Sequence, residues 1–180
     1  MKVKVKICGV VDPANATTAV DLGADLLGLN FCAASPRYVS AERAREIADA
    51  VRGRVTLVGV FVNRSPQEVA DLAGRVGLDL VQFSGDEGPE EVAPFAGRAI
   101  KVFRSGGDPG DEALAPYGDA WGLLFDAPHG TLYGGTGAAW SYESVAQAVR
   151  RLPGRRVLLA GGLGPDNVRS AIEVCHPFAV

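Results

Sequence analysis

At 180 residues with 23 glycines, the chain suits one domain, 1–180, rich in tight turns, and its 47% hydrophobic and 22% charged content excludes a disordered chain. Acidic and basic residues are mixed throughout to a formal net charge of −3, which excludes the basic stripe that nucleic-acid binding needs and leaves any anionic substrate to be met by local groups. The start reads as a charged strand rather than a leader, and no apolar run of about 20 residues follows, so a cytoplasmic protein with no membrane partner is expected.

The first predicted strand, K-V-K-V-K-I-C at 2 to 8, precedes a helix near 13 to 22, with Asp12 as cap and Pro13 at its first position. The strand D-L-L-G-L-N-F at 25 to 31 leads through S-P-R-Y-V-S to a helix near 40 to 52 that Ser40 caps. V-T-L-V-G-V-F-V at 55 to 62 is followed by a helix near 66 to 75, capped by Ser65 with Pro66 in its first turn. D-L-V-Q-F at 79 to 83 and A-I-K-V-F at 99 to 103 precede helices near 88 to 95 and 109 to 116. A-W-G-L-L-F-D at 120 to 126 leads to a helix near 141 to 151 capped by Ser141, and R-V-L-L-A-G at 156 to 161 to one near 165 to 174. The closing F-A-V resembles the start of another strand.

This alternation predicts an α/β fold, a parallel sheet covered by helices, either open or closed into a barrel. An open sheet keeps its ligand at a switch point, whereas a barrel gathers residues from many strand ends. Cys8, Asn30, Asn63, Gln82, Arg104 and Asp126 all fall at or near predicted C-terminal strand ends. They favour a barrel, with these residues around one mouth and F-A-V entering a further strand.

Cys8 is either a small apolar core residue or, from its place before Gly9, a nucleophile or general base. Lys6, Lys4 and Lys2 share its side of the strand, which a barrel interior accepts only if they reach an acid or solvent. Asp126 is either a helix-capping or loop-structuring carboxylate or, with Cys8 on the other side of a bound sugar, one of a proton acceptor and donor pair. Arg37, behind Pro36, is either solvated or a bidentate carboxylate ligand. The clusters Y-G-G-T-G at 133 to 137 and A-G-G-L-G at 160 to 164 are tight turns or, from their place after the last two strands, a phosphate cradle. Neither has the lysine of a P-loop. His129 is read as a loop residue and His176 as structural. The three cysteines, Cys8, Cys32 and Cys175, match no metal or dithiol spacing and suit a reducing compartment.

Taken in order, K-I-C-G at 6 to 9, G-A-D-L-L-G-L-N-F at 23 to 31, S-P-R-Y-V at 35 to 39, V-G-V-F-V-N at 58 to 63 and V-Q-F-S-G-D-E at 81 to 87 resemble the phosphoribosylanthranilate isomerase family of tryptophan biosynthesis. The resemblance continues through I-K-V-F at 100 to 103, L-F-D-A at 124 to 127, G-G-T-G at 134 to 137 and L-A-G-G-L-G-P-D-N-V at 159 to 168. It implies a (β/α)₈ TIM barrel, here truncated before or within its eighth strand, that works without cofactor or metal, converting N-(5-phosphoribosyl)anthranilate by an Amadori rearrangement. On that resemblance Asp126 is the general acid at the furanose ring oxygen and Cys8 the general base at the neighbouring sugar carbon. Arg37 binds the anthranilate carboxylate, and Gly135, Thr136, Gly137, Gly161 and Gly162 contribute to the phosphate site.

The pattern departs from the family at Ser84, where histidine is usual, and at the end, where the family continues through an eighth strand, a phosphate-binding loop and a final helix. The competing readings are a related phosphosugar isomerase of histidine biosynthesis or one of dual specificity, and a catalytically weak phosphosugar-binding protein. A monomer is the default, with a homodimer or fusion to another tryptophan-pathway domain as alternatives.

Overall fold

Short apolar strands that are hydrophobic on both faces need cover on both, and the chain supplies it with a helix after each strand on one face and with the sheet's own curl on the other. A computed structural model of the chain describes residues 2–104, 108–126 and 142–180. The strands are β1 (Lys6–Cys8), β2 (Leu26–Asn30), β3 (Thr56–Phe61), β4 (Leu80–Phe83), β5 (Ala99–Phe103), β6 (Gly122–Asp126) and β7 (Val157–Ala160). They pair in parallel in sequential order, forming one curled sheet. The helices are α1 (Pro13–Asp21), α2 (Ala41–Val51), α3 (Pro66–Val76), α4 (Pro89–Val92), α5 (Asp111–Leu114), α6 (Tyr142–Arg151) and α7 (Val168–Cys175).

Local chemistry explains most helix boundaries. Asp12 accepts a hydrogen bond from the Asn15 amide at 2.8 Å, with Pro13 opening α1. Ser40 caps α2 through the Arg43 amide, and Ser65 forms a reciprocal capping box with Glu68 at the head of α3. Ser141 lies outside the described residues. The helices expected near 88 to 95 and 109 to 116 are only one α-turn each, passing into 3-10 turns at Ala93–Phe95 and Ala115–Tyr117. Pro94 and Pro116 sit in those turns, and a residue without an amide proton cannot extend an α-helical ladder.

Packing separates into two layers. Leu26, Val58, Leu80, Ile100, Val102, Leu124, Leu158 and Ala179 fill the inside of the curl. Alternate residues, among them Leu27, Leu29, Phe61, Val81 and Phe83, pack outward beneath the first helices, while Leu123, Phe125, Val157 and Leu159 do so beneath α6 and α7. Register then assigns faces to the polar residues. Lys6 pairs with Leu26 and Cys8 with Gly28, so both lie on the inner face, as does Asp126 two residues beyond Leu124.

The expected eighth strand is present as a short stub. Ala179 bridges Leu158 of β7 on one side and Lys4, just ahead of β1, on the other. The Lys4 amide donates to Phe178 O at 2.9 Å, the Lys6 amide to Val180 O at 2.7 Å and the Leu159 amide to Ala179 O at 2.9 Å. Residues 178–180 thus span the seam between the two edge strands of a seven-stranded sheet, an architecture of a TIM barrel stopped within its eighth strand. Below the seam, Phe178 meets Trp121 edge-on at 5.6 Å. Ile7 in the middle of β1 and Val5 just ahead of it keep 43% and 38% of their surface exposed, so the outer face of this strand lacks the cover its neighbours have.

Candidate active site

Parallel strands point all their carboxyl ends to one rim, which is where residues from distant parts of the chain can meet. Cys8 ends β1 with its sulfur on the inner face and its side chain exposed to the mouth. Gly9 follows at φ +85°, and across it lies the Arg37 side chain. A Cβ on Gly9 would stand 2.4 Å from Arg37 Cδ, and Arg37 Nη1 donates to Cys8 O at 3.1 Å. Only glycine satisfies both the left-handed backbone and the close approach of the arginine. The structure therefore brings Cys8 and Arg37 together, although 29 residues separate them in sequence.

Beneath the cysteine, Gly28 of β2 leaves room for two side chains. A Cβ there would meet Cys8 Sγ at 2.8 Å and Lys6 Nζ at 3.2 Å. Lys4, one step lower, is exposed and pairs with Asp25 at 2.6 Å, so it reaches both solvent and an acid. Asp126 closes β6 on the same inner face, half-buried and paired in register with Ala160. Asp126 and Cys8 thus stand at the carboxyl ends of β6 and β1, on the same rim.

After β7, Gly161 and Gly162 take φ values of +90° and +63°, and the turn is tied down by Asn167, whose Oδ1 accepts from the Gly164 amide and whose Nδ2 donates to Gly162 O. Positive φ at two successive residues requires glycine, and Asn167, the cap position of α7, holds the turn they make. Gly135, Thr136, Gly137 and His129 lie outside the described residues. His176 is the left-handed cap of α7 at φ +47°.

The polar residues expected around the mouth lie at or near the carboxyl ends of their strands, and most of them brace its walls. Asn30 accepts from the Cys32 amide and donates to Ser35, folding the β2–α2 loop that carries Arg37. Asn63, at φ +50°, accepts from the Asp86 amide and so ties the β3–α3 loop to the β4–α4 loop. Gln82 is buried in β4 and donates to the Ser84 hydroxyl at 3.0 Å, while its Oε1 has no partner among the described residues. Arg104 is exposed just past β5.

A buried ion pair was not anticipated from the sequence. Lys101 Nζ lies 3.3 Å from Glu87 Oε2 and donates to Gly85 O at 3.0 Å. Glu87 also accepts from the amides of Asn63 and Gly85, so one carboxylate organises two loops of the rim. A lysine inside the apolar strand A-I-K-V-F was the available signal, since such a residue needs a buried partner. Cys175 is of no use as a base, because burial, with the Glu143 charge adding to it, pushes its thiol up to about 11. A cavity of about 590 Å³ lined by Asp25, Arg54, Asp79 and Trp121 opens at the other end of the strands, away from the candidate groups.

A model of the N-(5'-phosphoribosyl)anthranilate isomerase family matches residues 5–180. The chain belongs to this isomerase family. Its relative from Trichlorobacter lovleyi, an N-(5'-phosphoribosyl)anthranilate isomerase, is 41% identical over 178 residues, covering 99% of this chain and 85% of that protein. The crystal structure of phosphoribosyl anthranilate isomerase from Thermotoga maritima superposes with a TM-score of 0.86 at 38% identity, covering 99% of this chain and 86% of the other. A phosphoribosyl anthranilate isomerase solved with reduced 1-(o-carboxyphenylamino)-1-deoxyribulose 5-phosphate superposes at 0.85 with 35% identity, covering 99% of this chain and 86% of the other. Membership in the isomerase family thus rests on nearly every residue of the chain, the rim included. Among the described residues no helix is long and apolar enough to cross a membrane.

Proposed function

We propose that this protein isomerises N-(5-phosphoribosyl)anthranilate to 1-(2-carboxyphenylamino)-1-deoxyribulose 5-phosphate, a step of tryptophan biosynthesis carried out in the cytoplasm. The Asp126 carboxyl donates a proton to the furanose ring oxygen as the ring C–O bond breaks, and the nitrogen lone pair forms an iminium at C1. The Cys8 thiolate takes the proton from C2, and the C–H electron pair becomes the C1–C2 double bond while the iminium electrons return to nitrogen. The enolamine then tautomerises to the ketone, moving the enol proton to C1. The iminium raises the acidity of the C2 proton, which brings it within reach of a thiolate.

Arg37 binds the anthranilate carboxylate with its guanidinium fork, and Gly161 and Gly162, with Gly135, Thr136 and Gly137, hold the phosphate. What supports the reading is the meeting of Cys8 and Arg37 across Gly9 on the same rim as Asp126, within a chain that matches the isomerase family over residues 5–180. The test is turnover of the purified chain at its confirmed intact mass, with the substrate generated in situ. Cys8→Ala and Asp126→Asn each lower kcat by more than about 100-fold while ligand binding persists. Turnover that survives both substitutions overturns the assignment.

A further inference from the structure

Cys8 needs to be anionic to remove a proton from carbon, and a thiolate at the rim requires a counter-charge. Gly28 places the answer beside it. The space above this glycine is shared by Cys8 Sγ and Lys6 Nζ, at 2.8 and 3.2 Å from the position a Cβ would take. Both side chains leave β1 on the same face, two residues apart, and Lys6 is half-buried within the curl. Its lower neighbour Lys4 is neutralised by Asp25. Among the described residues, no carboxylate and no carbonyl takes the Lys6 ammonium in a hydrogen bond or ion pair.

We infer that Lys6 is a positioning residue of the isomerase, its ammonium serving as the counter-charge that keeps Cys8 a thiolate aimed into the mouth. The inference rests on the reading of Cys8 as the general base. A half-buried cation without an acidic partner is unfavourable in a barrel interior, and a thiolate beside it satisfies both groups. Other charges face Cys8 from each side. Arg37, on the β2–α2 loop, engages the Cys8 carbonyl oxygen, which leaves Lys6 as the cation on the sulfur's own side of the strand. Asp12 is committed to Asn15 at the head of α1, and the seam residue Val180 carries no charged side chain. Asp126, across the curl at the end of β6, is the acid of the pair. When the thiolate takes the substrate proton, the ammonium remains and favours return of the sulfur to its charged form.

Carboxamidomethylation by iodoacetamide reads this directly, because it reports thiolate and needs no catalysis. The rate at each cysteine is followed by peptide mass spectrometry from pH 5 to 10 in the wild type, Lys6→Gln and Lys6→Arg. Lys6→Gln is expected to slow modification of Cys8 at pH 7 by at least about tenfold and move its pH dependence upward. Lys6→Arg restores both in large part, and Cys32 reacts alike in all three. In the isomerase assay Lys6→Gln lowers kcat with KM within about threefold and shifts the acid limb of the rate profile to higher pH. A Cys8 modification profile unmoved by Lys6→Gln overturns the inference, as does a loss expressed in KM alone, which assigns Lys6 to substrate binding. The base assignment fails separately, through turnover by Cys8→Ala.

Discussion

Gly9 is the residue on which the rim turns, since it carries both the backbone conformation after β1 and the bed of the Arg37 side chain. Its replacement by alanine forces a left-handed non-glycine residue and displaces the guanidinium, with a stability cost of about 1–2 kcal/mol. Urea denaturation should register that cost, and KM should rise because the carboxylate ligand has moved. Arg37→Lys isolates the second effect, keeping the charge but losing the planar fork. Its KM is expected to rise roughly tenfold with an unchanged denaturation midpoint. At Asp25 the hydrogen bond from Lys4 holds the carboxyl below the usual carboxylate range, against desolvation and with help from the Val5 amide. A depressed carboxyl contributes stability above the unfolded-chain value of about 4 and loses it as pH falls. Denaturation midpoints of Asp25→Asn should therefore trail the wild type near neutrality and converge with it toward pH 2.

The rim depends on loops, and one element organises two of them. Lys101 stands on the outward face of β5 and meets Glu87 in the β4–α4 loop, where the side chains keep only 7% and 1% of their surface. Glu87 holds the amide of Asn63 from the preceding loop, and the Tyr117 hydroxyl reaches Glu87 O at 3.3 Å. Lys101→Met leaves the carboxylate buried without its cation, at a cost of about 3–5 kcal/mol. Pairing it with Glu87→Gln recovers part of that loss in the thermal midpoint, because the uncompensated charge is gone. At the head of α3, Ser65→Ala removes one arm of the capping box and costs about 1 kcal/mol. These helix starts were readable from spacing alone, since a cap acts on amides within three residues. The Lys101 pair was not, because its partner sits 14 residues away and nothing local names it.

For the whole molecule the decisive contact is the seam. Residues 178–180 hydrogen-bond to β7 and to the chain around β1, and Phe178 packs on Trp121. Deleting these residues is expected to destabilise the protein by about 3 kcal/mol or more, a fall in Tm of roughly 6–12 °C at this size. An unchanged melting curve would show that the remaining sheet holds itself without the closing residues.

By itself the sequence determined the order of strands and helices and most of the caps, and it singled out Cys8 and Asp126 as the pair proposed here for proton transfer. Hydrophobic alternation and side-chain-to-amide capping are local, and K-I-C-G and L-L-F-D are short runs whose strand ends are visible in place. What the tertiary structure decided is which distant groups meet. It laid Arg37 over Gly9, set Lys6 Nζ and Cys8 Sγ each against Gly28, and used Asn30 and Asn63 to tie the loops of the rim. It also carried Ala179 to the edges of both β1 and β7. The physical reason is that curling a parallel sheet brings residues far apart in sequence into side-chain contact at one rim. Their electrostatic and packing partners are then set by strand register and curvature, which no stretch of the chain encodes alone.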